Sequence, residues 1–202
     1  MSELLNRRSI RLYDEKIKIS KKEMTEILKK AMRAPSSMNM QSYRVLIVET
    51  PAMKEKLKTV LYGNQTQLET SSAMLCIFTD LQKFKFANKV YNRAYEYGLM
   101  PKEVRNKQLE NIDNLIPKIP IDDLEKTGWL DAGLFIMQLM HIAREHGYDT
   151  CSIGGFKYEL LAETLGLDPN RYKPVLIVSI GKKAEAGFPS VRLDVKDVAK
   201  WI

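Results

Sequence analysis

Apolar positions first fall into register at Met24, Ile27, Leu28 and Ala31, the i, i+3, i+4, i+7 spacing of one buried helical face. Ser20-Lys-Lys-Glu23 precedes them as a capping box, in which hydroxyl and carboxylate each satisfy an orphan backbone N–H, so the pattern predicts a helix that ends before Pro35. "YRVLIVE" from Tyr43 reads as a β-branched strand. Thr50-Pro51 then supplies a cap and a first-turn proline for a helix whose inner face is Met53, Leu57, Val60 and Leu61. A short helix is expected within residues 64–72. "AMLCIFT" from Ala73 has no polar alternation, which predicts a strand covered on both faces. Residues 82–127 are charged, with Phe84, Tyr91 and Tyr95 on one helical stripe and a proline-broken "IPKIPIDD", and read as two surface helices and a loop. From Trp129 to His146 the chain is apolar on nearly all sides, which predicts a central, buried helix stopped by Gly147. "YDTCSIGGF" leads into a helix with Leu160, Leu161 and Leu165 and a stop at Gly166, and "PVLIVSIG" is the third clear strand. Helices thus separate the strands throughout, which predicts an α+β or α/β sandwich with helices on both sheet faces. At 202 residues and 45% hydrophobic, one sizeable domain, 1–202, is expected.

Charge changes this picture little. The formal net charge is +7, with ten basic against five acidic residues between Met1 and Ala34. That makes a basic entrance region, but no RRM, zinc-finger or helix-turn-helix pattern accompanies it and no basic run is interleaved with stacking aromatics, so a nucleic-acid partner is not expected. The first residues lack a signal-peptide core and no segment is apolar for long enough to span a bilayer; no membrane partner and a cytoplasmic location are expected. Cys76 and Cys151 belong to no CxxC or zinc-ligand pattern and read as packed small residues. His141 and His146 read as core or helix-cap residues, and Asp122 with Asp123 as a helix cap.

Chemistry gathers in short polar patches. "APSSMNMQ", Ala34 to Gln41, puts Ser36, Ser37, Asn39 and Gln41 at a junction where a turn needs only one or two special residues, so a polar ligand is expected there. "RRSIR", Arg7 to Arg11, offers guanidinium forks that match phosphate oxygens bidentately, although alone such a stretch is more often an exposed basic turn before the first long helix.

Taken together, "RRSIR", "APSSMNMQ", "NQTQ" at 64–67, "DTCSIGGF" and "VRLDV" at 191–195 occur in an order and spacing that resembles the FMN-dependent nitroreductase family, over nearly the whole chain. The resemblance implies an α+β fold, an α/β/α sandwich with a mainly antiparallel central sheet, helices on both faces and an intertwined homodimer, with residues 82–127 as a helical lid or excursion. It implies FMN as cofactor and NADH or NADPH as reductant. Arg7 and Ser9 match phosphate-binding positions with Arg8 beside them. Arg11 matches a basic residue at the flavin's pyrimidine edge, where a fixed cation stabilises charge that reduction places at N1 and O2. Asn64 and Gln67 match hydrogen-bonding positions at the same edge. Gly154 and Gly155 match the place where backbone N–H groups approach N5 and O4, and glycine there permits close approach and positive φ. Arg192 matches a second phosphate arginine. Pro35, Ser36, Ser37, Asn39 and Gln41 match the loop that reaches the flavin of the other subunit, so the homodimer would share two FMN sites.

Two departures stand out. Ser190 occupies a position where many members carry a phosphate-binding lysine, which Lys182 or Lys183 would have to replace, and Gly154 stands where many carry an acidic residue. The activity implied is hydride transfer from NAD(P)H through flavin N5 to a flat electrophile such as a nitroaromatic or quinone, with ping-pong kinetics and no acid or base side chain. The alternative is a flavin carrier or redox-responsive module without efficient turnover.

Overall fold

The computed structural model describes residues 4–202, and its frame is a four-stranded sheet: β1 (Tyr43–Val48), β2 (Ala73–Asp80), β3 (Asp149–Ile153) and β4 (Tyr172–Gly181). The strands lie in the order β1-β2-β4-β3 and every neighbouring pair is antiparallel. The uninterrupted apolar run of β2 places it inside the sheet, buried at every residue. The β2–β4 register slips between Ile77, opposite Leu176, and Phe78, opposite Pro174; a proline has no N–H for the ladder and is tolerated at such an irregularity. β3 was not legible as a strand, because Asp149, Thr150 and Ser152 break its apolar run.

Helices cover both faces, as strand parity demands. On one, α1 (Lys21–Ala31) and α6 (Ile121–Glu145) pack Ile27, Phe135 and Leu139 against Leu75, Ile77, Val178 and Ile180. On the other, α2 (Pro51–Lys58), α3 (Gln65–Thr70) and α7 (Tyr158–Thr164) bring Leu57, Leu68 and Leu161 against Met74, Cys76, Phe78 and Ile177. Both cysteines are buried and free, as packed residues. Between β2 and α6, α4 (Ala87–Glu96) and α5 (Lys102–Leu115) form the two helices expected in 82–127, and α8 (Val195–Val198) lies near the C-terminus. Phe84 and Tyr91 pack with Met40 and Ile112 in a third apolar cluster, whereas Tyr95 is exposed beside Arg105. Among the described residues no helix is long and apolar enough to cross a membrane.

Three local readings need correction. Ser20 caps α1 by accepting from the Glu23 N–H, but the Glu23 carboxylate accepts from the Tyr148 hydroxyl (2.8 Å), which engages it in tertiary structure instead of a capping box. Leu160 is exposed; Leu161 carries the inward face of α7. Most important, α6 begins earlier than Trp129, at Ile121, with Asp122 and Asp123 in its first turn, and is not buried all round. Ala132, Phe135, Ile136, Leu139 and Ala143 face the sheet, while Leu130 and Leu134, one turn apart on the outer side, are 72% and 50% exposed. A helix apolar on both sides with only one side covered presents a surface that a second molecule can bury.

Candidate functional site

Three of the polar patches converge at the β3 edge. Ser9 forms a parallel bridge with Thr150, and the Ile10 N–H donates to the Thr150 carbonyl (3.1 Å), so "RRSIR" runs along the outer edge of β3. Gly154 and Gly155 follow directly at the end of that strand. Residues 61–67 come alongside through a bridge between Leu61 and Phe156 and a hydrogen bond from the Tyr62 N–H to the Gly155 carbonyl (2.8 Å). Asn64 begins α3 in the left-handed region, φ 61°, a conformation asparagine tolerates better than most residues. Its side chain accepts from the Gln67 amide (3.0 Å), and its Nδ2 lies 3.6 Å from where a Cβ of residue 155 would stand. The amide pair and the glycines thus share one wall.

The cradle is open where a ligand would have to enter. A Cβ on Gly154 would meet nothing within 4 Å, so its backbone faces free space. Neither Gly154 nor Gly155 has positive φ, which corrects that part of the expectation: the glycines serve close approach and not an unusual backbone. Among the described residues the Arg7 guanidinium has no hydrogen bond or ion pair, and its half-buried position leaves it available to an anion. Arg8 is different, because its Nη1 donates to the carbonyls of Leu5 (3.1 Å) and Arg7 (3.0 Å); it shapes the segment. The Arg11 guanidinium lies 5.7 Å from the Phe188 ring centroid. Glu185, which no sequence pattern marked, accepts from the backbone N–H groups of Arg11 and Leu12, and so ties the chain after β4 to the cradle. Arg192 follows on that segment, exposed, donating to the Ser190 hydroxyl (2.9 Å). Lys182 donates to the Gly147 carbonyl at the end of α6 (3.0 Å), a helix-capping contact that engages one of its three ammonium donors, and the Lys183 backbone pairs with Tyr13.

The remaining patch is not here. Pro35 to Gln41 lies just before β1, on the opposite edge of the sheet. From β1 to the Ser9 segment outside β3 is four strand spacings, about 19 Å. Pro35, Ser37 and Asn39 are exposed and Ser36 and Gln41 half-buried. Met38, Asn39 and Gln41 all have left-handed φ, 53°, 55° and 44°, without a glycine among them. The Gln41 N–H donates to the Ser36 hydroxyl (3.0 Å) and its side chain to the Asn39 carbonyl (2.8 Å).

Buried polar groups behind this loop escaped sequence reading. Asp131 on α6 accepts from the Ser37 N–H (2.8 Å) and the Ser42 hydroxyl (2.9 Å). Gly128, one turn earlier, brings α6 so near β2 that a Cβ would overlap the Thr79 hydroxyl. Burial pushes the Tyr43 hydroxyl up to about 12, with the Asp131 charge adding to it and Arg44 opposing. Burial also lowers the ammonium of Lys83, against the pull of Asp131. Acidic residues inside apolar helices are the one signal in the sequence that could have flagged Asp131.

The groups at the β3 edge suit a flat cofactor with an anionic tail: an uncommitted guanidinium at one end, a side-chain amide pair and open glycine backbone at the other. A model of the Nitroreductase family matches residues 4–182. The chain is 46% identical over 201 residues to a Bacillus subtilis (strain 168) protein provisionally named NAD(P)H nitroreductase YdgI, covering 100% of this chain and 96% of that one. It is 36% identical over 194 residues to the CLA biosynthesis enone reductase of Lactiplantibacillus plantarum, covering 96% and 89%. Among solved structures, a provisionally named nitroreductase from Exiguobacterium sibiricum 255-15, in complex with FMN, superimposes with a TM-score of 0.96 at 45% identity, over 99% of this chain and 96% of that one.

Proposed function

Because the chain belongs to the nitroreductase family, we propose that two copies of it share two FMN sites and pass hydride equivalents from NADH or NADPH to a flat electrophile such as a nitroaromatic or quinone. The observation that carries this reading is the division of the polar residues between two edges of one sheet. Arg7, Ser9, Arg11, Asn64, Gln67 and Gly154–155 gather at β3, while the Pro35–Gln41 loop leads into β1, the opposite edge strand, four strand spacings or about 19 Å from the Ser9 segment. A two-fold partner can set the loop of one chain against the cradle of the other, and by symmetry both sites are then alike. The uncovered Leu130–Leu134 side of α6 supports a partner there, as does the exposed C-terminal arm with Val191, Leu193 and Trp201 turned outward. The whole chain acts as one FMN-binding domain, from which 82–127 is an excursion.

Each group has a task its geometry fits. Arg7 holds the phosphate, assisted by the Ser9 hydroxyl and, across the segment that Glu185 fastens, by Arg192. Arg11 stays charged at any working pH and stabilises negative charge at the pyrimidine edge. The Asn64–Gln67 pair presents amide donors to the same edge, and the Gly154 and Gly155 N–H groups face the ring without a side chain in the way. When bound, FMN supplies the two-electron chemistry, accepting hydride at N5 and yielding reducing equivalents to the acceptor. No side chain of the cradle needs to gain or lose a proton.

Anaerobic mixing of the yellow protein with NADH or NADPH should bleach the flavin absorbance, and initial rates at varied donor and acceptor should give parallel double-reciprocal lines. Intersecting lines would require both substrates to be bound together and would remove the single shared pocket. A flavin that stays yellow with both nicotinamides would mark a binding module without turnover.

A further inference from the structure

We propose that Asp131 is a positioning residue for the cofactor site: its buried carboxylate holds the Pro35–Gln41 loop in the shape that presents it to the partner's flavin. This rests on the shared-site reading above and adds to it a residue that no matched motif contains.

The loop holds itself only in part, through the Gln41 hydrogen bonds to Ser36 and Asn39. Met38, Asn39 and Gln41 sit in the left-handed region, with φ of 53°, 55° and 44°, where a Cβ is disfavoured, so the conformation draws on support from outside as well. Two clamps supply it. Asp131, only 3% exposed, spends one oxygen on the Ser37 N–H (2.8 Å) and the other on the Ser42 hydroxyl (2.9 Å), and so grips the loop at both ends of its strained part. From the other side the Tyr91 hydroxyl donates to the Met38 carbonyl (3.0 Å), and Met38 and Met40 pack with Ala87 and Ile112 of the excursion. A carboxylate is costly to bury inside an apolar helix. Two hydrogen bonds and the buried ammonium of Lys83, whose charged form Asp131 favours, compensate for it. With those bonds removed, the left-handed residues relax toward ordinary backbone and Asn39 leaves its place, although it never touches Asp131 itself.

The test compares Asp131→Ala, which loses both acceptors, with Asp131→Asn, which keeps Oδ1 for the Ser37 N–H and can donate Nδ2–H to the Ser42 oxygen. Flavin fluorescence on dilution of each holoprotein reads the FMN dissociation constant. Asp131→Ala should weaken FMN binding at least about tenfold, and Asp131→Asn should stay within about threefold of the parent. Mixing Asp131→Ala chains with Arg7→Ala chains should restore one tight site per heterodimer, because the sound loop and the sound cradle then meet in one of the two sites; a merely destabilised fold would not be rescued in this way. Parent-like affinity in Asp131→Ala, or loss without rescue, overturns the proposal. Asn39→Ala separates the layers. If it weakens FMN binding and Asp131→Ala does not, the anchor alone is wrong; if Asn39→Ala has no effect, the loop is not a flavin contact and the shared site falls with it. Should Asp131→Ala fail to fold, Ser42→Ala removes one of the two bonds and must shift affinity in the same direction, and no shift rejects the anchor.

Discussion

Replacing Asp80 by asparagine should lower the unfolding free energy by about 3 kcal/mol, the lower end of the range for breaking a buried ion pair. Asp80 is fully buried at the end of β2, where Arg171 approaches it with two nitrogens (2.8 and 2.9 Å), Arg44 with a third (3.0 Å) and the Gln82 N–H with a fourth donor (2.9 Å). The carboxylate therefore fastens β1, β2 and the start of β4 to one another. The lower end applies because the two arginines keep about a quarter of their side chains exposed and can rehydrate once the charge is gone. For a chain of this length the loss amounts to roughly 6–12 °C in melting temperature, measured at fixed flavin concentration so that ligand binding does not mask it. Burial pushes the Asp80 carboxyl up, but the Arg171 hydrogen bonds, the Gln82 N–H and the Arg44 charge together hold it below the ordinary carboxylate range. With a folded pKa beneath the unfolded one, the stabilisation is complete above about pH 4 and fades as pH falls through the lower, folded value. The difference between parent and Asp80→Asn should accordingly be flat from neutral pH down to about pH 5 and shrink in stronger acid. A difference that grows on acidification would reverse the sign of this linkage.

The second large effect concerns the cofactor. Arg7→Ala should weaken FMN binding by about 1.5–3 kcal/mol, the usual worth of a hydrogen bond to a charged group. That is roughly 10- to 150-fold in dissociation constant. Its guanidinium has no other engagement among the described residues, so removing it should leave the melting temperature of the flavin-free protein nearly unchanged. Asn39→Ala should also reduce flavin occupancy, from the opposite edge of the sheet. If the sites are shared, mixed Arg7→Ala and Asn39→Ala chains recover one sound site per heterodimer; without recovery, cradle and loop do not serve the same flavin across the two-fold axis. Unaltered retention in Arg7→Ala would withdraw the phosphate role from that residue.

How much of this was legible in the sequence depends on the range of the interaction. α1, α2, β1, β2 and β4 follow from local periodicity and caps, and Thr50 accepts from the Met53 N–H as its cap role requires. β3 did not follow, since its five residues carry three polar side chains and become a strand only because β4 and the Ser9 segment pair with it. α6 was legible as apolar but its burial was misjudged: periodicity can say that both sides are greasy, not that among the described residues only one side is covered. The cradle residues were marked by short motifs, yet their convergence depends on long-range pairings such as Tyr62 with Gly155 that no local pattern encodes. Asp131, Lys83 and Glu185 were missed for the same reason. Each is an ordinary charged residue in sequence and gains its meaning from what the fold brings opposite it.

Native mass spectrometry of the protein reconstituted with FMN, followed through dilution, tests the joint clasp most directly. Shared sites predict a dimer carrying two flavins and a monomer, where dilution produces one, carrying none. A monomer that keeps its flavin would contradict it.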